Sequence, residues 1–180
     1  GLDLGLAVNL SARHLRDPAF AEELLRAIHL HDTDPSRLEL EITETALMSD
    51  PQKALAVIRV LTQAGVRIAI DDFGTGFSSL GQLRSFPVDM IKVDRSFVQG
   101  VEDGAKDAAI TANLVTLAHA LGLLAIAEGI ESDTQLASLR GLGCDLAQGY
   151  LFARPLPEAQ VRTVLTGGFG DLVSGSGVAA

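Results

Sequence analysis

Six short runs rich in Val, Ile and Leu recur along the chain, and each stops at a carboxylate, an amide or a lysine before helical periodicity takes over. They cover residues 4–10, 37–43, 66–72, 89–94, 123–128 and 146–152. Near-continuous apolar runs of this length, separated by amphipathic stretches, are what βα units around a parallel sheet look like, because such strands are covered on both faces. The fold class expected is therefore α/β. Asp17-Pro18 and Asp50-Pro51 set a capping carboxylate ahead of a proline that suits the first helical position, and Ser132 with Gln135 forms a capping-box pattern. Gly65, Gly122 and Gly143 each close a helical stretch just before the next run, where the backbone is expected to turn through positive φ.

Two parallel architectures fit this alternation. A closed eight-stranded (β/α) barrel takes about 250 residues, so six of its eight units would take roughly 190. Residues 1–166 come close to that and are read as one domain, with residues 167–180, a Gly- and Ser-containing segment without periodicity, as a flexible tail. The rival is an open doubly wound sheet, which gathers its ligand at one crevice where strand order reverses. Polar residues at the end of every strand favour the TIM-like barrel, whose strand ends converge on one face.

Those strand ends carry Asn9, Glu41, Asp71 with Asp72, Lys92 with Asp94, Glu128 with Glu131, and Gln148. Each has a structural reading by itself: a turn for Asn9, internal ion pairs for Glu41 and Asp94, a loop cap for Glu44. Together they form a pocket of hard oxygen donors, which suits Mg²⁺ or Mn²⁺ better than zinc. Adjacent side chains on a strand point to opposite faces, so Asp71 and Asp72 can share a site only if the strand ends there, and Gly74-Thr75-Gly76 offers the turn. Two carboxylates so placed are suited to two cations about 3.5 to 4 Å apart, the arrangement that assists in-line displacement at phosphorus.

The remaining composition narrows the partners. A formal charge of -9 disfavours a nucleic-acid polymer, whose binding depends on Lys and Arg neutralising phosphates, but leaves a small phosphodiester open if metal ions supply the positive charge. Cys144 is the lone cysteine and reads as a small core residue, and His29 and His31 read as surface groups near a helix end. With no disulfide, no apolar run near the roughly 20 residues of a membrane span and no basic leader before Gly-Leu-Asp, the expectation is a cytoplasmic domain excised from a larger protein.

Six ordered motifs then resemble one family. VNLSAR (residues 8–13), LELEITET (38–45), DDFGTGFSSL (71–80), IKVD (91–94), AEGIE (127–131) and QGYLFARP (148–155) are similar to the EAL domain and span nearly the whole chain before the tail. The resemblance implies a barrel that hydrolyses cyclic di-GMP to linear pGpG with two Mg²⁺ or Mn²⁺. It implies metal ligation by Asn9, Glu41, Asp71, Asp72 and Glu128, with Lys92 at the attacking water or the phosphate. It also implies that Gln148 helps hold the water or metal site, that Glu131 supports it from behind, and that Glu44 braces the loop after Asp72. A homodimer and attachment to sensory or GGDEF domains are further arrangements it implies.

Two features depart from the family pattern. Phe77 stands where the family usually has tyrosine, and no Glu-Ala-Leu sequence occurs, so a domain lacking its first two strands is expected. Glu41, Asp71, Asp72 and Glu128 sum to -4 against +5 from two divalent ions and Lys92, and the family's further glutamate would balance them. Weak metal binding and little turnover by this chain alone are expected. The competing reading is an inactive EAL domain that senses cyclic di-GMP or docks a protein; the retained ligand set favours the enzyme.

Overall fold

The computed structural model describes residues 4–75, 80–102, 104–157 and 160–161. The tail at 167–180 and the positions of Gly76 and Phe77 lie outside the described residues. Six parallel strands run in chain order, β1 (Leu6–Leu10), β2 (Leu38–Thr43), β3 (Arg67–Phe73), β4 (Met90–Val93), β5 (Leu124–Ala127) and β6 (Leu146–Ala147). Each pairs with its neighbours in sequence, and no strand order reverses. The sheet is thus the curved wall of a TIM-like (β/α) half-barrel, and the doubly wound alternative is excluded.

Helices α1 (Ala12–Leu15), α2 (Phe20–Leu30), α3 (Glu44–Ser49), α4 (Pro51–Gln63), α5 (Leu80–Leu83), α6 (Arg95–Gln99), α7 (Ala105–Ala120) and α8 (Asp133–Gly141) fill the crossovers. Their apolar faces meet the outward side chains of the strands, Leu40, Ile42, Ile68, Ile70 and Ile91, in the main core. The inward side chains make a second, smaller layer of Ala69, Met90 and Ile126. Because strand side chains alternate, the next inward residues along β3, β4 and beyond β5 are Asp71, Lys92 and Glu128. An apolar plug therefore lies directly beneath the polar strand ends.

Most local signals act as read. Asp50 caps α4 by accepting from the Lys53 N–H at 3.3 Å, and Ser132 with Gln135 completes a reciprocal capping box on α8. Gly65, Gly122 and Gly143 all have positive φ. Asp17 does not cap a helix: its carboxylate accepts from Ala19 N at 3.0 Å and closes a turn, and α2 begins after Ala19. The last strand is also far shorter than residues 146–152, because the chain bends at Gly149, where a Cβ would collide with the backbone of Ile130.

The largest correction concerns the paired aspartates. β3 does not end at Asp72; it continues to Phe73, pairing Phe73 with Val93 across a register shift between Ile70 and Phe73. Asp72 has a φ of 53°, left-handed backbone that Asp tolerates better than most residues because its short side chain can bond locally. An extra residue bulged out of the ladder breaks the two-residue alternation, so both carboxylates reach one side without the strand stopping.

Candidate active site

Lys92 organises the strand ends. It is 2% exposed, and its Nζ lies 2.6 Å from Glu41 Oε1 on β2, 2.6 Å from Glu128 Oε1 just past β5, and 3.3 Å from Asp71 Oδ1 on β3. Burial works against its charge, yet the hydrogen bonds and charges of Glu128, Glu41 and Asp71 prevail and hold the ammonium above the ordinary lysine value. Lys92 is therefore a fixed internal cation. Glu128 sits above the usual carboxylate range because burial, with Asp71 and Glu41 nearby, outweighs the pull of Lys92.

Oxygen atoms of Asp71, Asp72 and Glu128 lie within 4.8 Å of one another, and none of the three residues is fully buried. Three partly solvated carboxylate oxygens at that spacing fit a hard divalent cation that keeps some water. Asp72 is raised by burial and then by the charges of Asp71 and Asp94. Asp94 itself is lowered: burial opposes its charge, but the Ser96 hydroxyl and N–H, at 2.5 and 2.9 Å, outweigh it while Asp94 caps α6. Among the described residues Asp94 makes no ion pair with Lys92 or the Arg95 guanidinium; the Ser96 hydroxyl and the N–H groups of Ser96 and Arg95 hold its charge, which it presents to Asp72.

The other residues singled out from the sequence form the rim. Asn9 is exposed on β1, in register with Glu41. Glu44 is buried at the start of α3 and accepts from Gly74 N at 3.3 Å, which ties α3 to the turn after the paired aspartates. Glu131 is not in the ring; it pairs at 2.6 Å with Arg95, a residue not singled out from the sequence although it directly follows Asp94. Gln148, Glu128, Glu131 and Arg95 line a cavity of about 240 Å³ beside the ring, closed on one side by Tyr150, whose ring lies 4.7 Å from the Arg154 guanidinium. His29 and His31 are exposed, away from this site, and Cys144 packs against the core with burial pushing its thiol up to about 11.

A wall of six βα units whose carboxylates and buried lysine meet at the C-terminal strand ends places a candidate active site where a barrel of this class assembles one. The family model described as "EAL domain" matches residues 1–155, and the chain belongs to that family. It is 43% identical over 158 residues to the Cyclic di-GMP phosphodiesterase RocR of Pseudomonas aeruginosa, covering 88% of this chain and 40% of that protein. The structure of the PaMucR phosphodiesterase in complex with c-di-GMP superposes with a TM-score of 0.83 at 40% identity, over 88% of this chain and 64% of that one. A manganese and cyclic di-GMP complex of Klebsiella pneumoniae BlrP1 superposes at 0.77 with 34% identity, over 84% and 39% of the two chains. The chain spans less than half the length of the curated relatives it matches. Among the described residues no helix is long and apolar enough to cross a membrane.

Proposed function

We propose that this domain hydrolyses cyclic di-GMP to linear pGpG in the cytoplasm, with two Mg²⁺ or Mn²⁺ held by Asn9, Glu41, Asp71, Asp72 and Glu128. The observation that carries the reading is the meeting of Glu41, Asp71 and Glu128 around one buried, charged lysine, with Asp72 beside them. Support also comes from the similar proteins, among them a cyclic di-GMP phosphodiesterase and a structure solved with manganese and the dinucleotide. When bound, the cations would lower the pKa of water and neutralise charge at the phosphorus.

The chain's own groups supply the rest. Water oxygen forms the new bond to one phosphorus as the bond to the 3′ oxygen breaks, which opens the ring, leaves a 5′-phosphate and frees a 3′-hydroxyl once that oxygen takes a proton from solvent. Lys92, fixed in its charged form, stabilises the phosphoryl oxygens as negative charge builds and is not the general base. Glu128 would hold and orient the attacking water, whose proton passes to solvent. Gln148 and Glu131 border the substrate cavity, Asp94 orients Asp72 through its fixed charge, and Glu44 holds the Gly74 turn. A homodimer and attachment to sensory or GGDEF domains belong to the same reading.

The test is to incubate the protein with cyclic di-GMP and Mg²⁺ or Mn²⁺ and separate the products. Linear pGpG should accumulate and EDTA should stop it. Tight binding of the dinucleotide with no cleavage in either metal would replace the phosphodiesterase with the sensor reading.

A further inference from the structure

At the opposite end of the half-barrel, where strands begin, the C-terminal part of α4 and the segment after α5 line an open surface cavity of about 380 Å³. Arg59 reaches it from the helix and Arg84 from the turn that leads toward β4. Among the described residues no carboxylate lines it, in a chain that has 23 acidic residues against 14 Lys and Arg. Among the described residues neither guanidinium has an ion pair or a side-chain hydrogen bond, whereas Lys53, Lys92 and Arg95 are all matched with carboxylates. Two exposed, like-charged side chains around one concavity repel each other, and an anion between them removes that cost.

The remaining donors define what fits. Thr62 and Ser85 are already committed, donating to Ile58 O at 3.0 Å and Gln82 O at 2.6 Å, so their hydroxyl protons are not available to a ligand. Gln63 adds an amide to the wall. The negative end of α4 would oppose an anion, but its last carbonyls are occupied: Val60 O and Leu61 O accept from Ala64, Leu61 O from Val66, and Thr62 O from Gly65. Pro87 gives an exposed apolar wall beside these donors. Guanidinium forks from two separate elements match the oxygens of a phosphate better than a single point charge does.

We propose that this cavity binds a small phosphate monoester, held between Arg59 and Arg84, at a site separate from the carboxylate ring. Its occupant would bridge α4 to the segment that feeds β4. The inference does not depend on the reaction proposed above, since the two sites lie at opposite strand ends.

The experiment uses the 180-residue chain in EDTA, so that no divalent ion recruits phosphate to the ring. Inorganic phosphate and AMP are titrated by calorimetry and by two-dimensional amide NMR, with sodium chloride at matched ionic strength as the control. Saturable binding of both, with shifts confined to residues 59–63 and 84–88, is expected. Arg59→Gln and Arg84→Gln, both at exposed positions, should each weaken binding on the order of tenfold, and Arg84→Lys should restore only part of it. The proposal is overturned if chloride reproduces the shifts, if the glutamine variants bind as the parent does, or if an acidic peptide binds while phosphate and AMP do not.

Discussion

Replacing Lys92 by Met tests whether an internal cation holds the site together. The substitution nearly preserves side-chain length but removes two charge-assisted hydrogen bonds of 2.6 Å and a third contact of 3.3 Å. It leaves Glu41, Asp71 and Glu128 facing one another with side chains only 9%, 15% and 17% exposed. Breaking a buried ion pair from one side costs about 3–5 kcal/mol, because the orphaned charge stays desolvated. For a chain of this size that corresponds to a fall in Tm of roughly 6–20 °C. The deficit has a pH signature. Without the ammonium Glu128, already held above its usual range by burial, is pushed higher still, so the repulsion in the ring is relieved as pH falls and the gap to the parent narrows toward pH 5. Mn²⁺ should stabilise the variant more than the parent, since the cation then replaces the missing charge; a hundredfold excess over Kd contributes about 2.7 kcal/mol. Scanning calorimetry with EDTA and with Mn²⁺ at pH 5 and pH 7.5 checks all of this. A Tm loss under about 2 °C in EDTA at pH 7.5 would refute the argument that Lys92 neutralises the ring.

Three further outcomes follow from individual residues. Asp72→Asn keeps a residue that accepts left-handed backbone while removing a charge raised by burial and by Asp71 and Asp94, so metal-free stability should hold while Mn²⁺ affinity drops; Asp72→Val should instead lose about 1–2 kcal/mol. Chemical denaturation and Mn²⁺ titration separate the two, and equal stabilities of the Asn and Val variants would show that the bulge is not strained. Gly149→Ala must push the chain off Ile130 and sacrifice the bonds Ile130 N–H to Gln148 O and Leu151 N–H to Ile130 O, at 3.1 and 2.9 Å, a loss of about 2–3 kcal/mol that also displaces Gln148; an unchanged thermal midpoint argues against it. Burial opposes the charge of Asp145, but bonds from Ala125 N–H and His119 outweigh it and lower its carboxyl, so its stabilisation is complete above the unfolded value of 3.8 and disappears as pH falls through the lower folded value. Urea midpoints of the parent should therefore fall faster than those of Asp145→Asn on acidification from pH 5 to pH 2, and parallel curves would sink the assignment.

The strands and the ring could be read from the sequence for one physical reason: parallel strands covered on both faces must be apolar until they reach solvent, so a polar residue that stops such a run marks a barrel rim. Glu41, Asp71, Lys92 and Glu128 are all of this kind. Asp72 shows where that rule ends. Alternation treats the backbone as regular, and a single left-handed residue inverts the face without altering any residue type. Arg95, paired with Glu131, was invisible for a different reason, since a helical arginine at a strand end looks like ordinary surface. The role of Lys92 lies between these cases. Its position was evident, but its three partners come from β2, β3 and the residue after β5, and only the curved wall brings them together. That arrangement also explains why a lysine occupies the centre of a carboxylate ring. Carboxylates collected tightly enough to hold a cation repel one another before any cation arrives, and a covalently attached positive charge beneath them lets the wall form first.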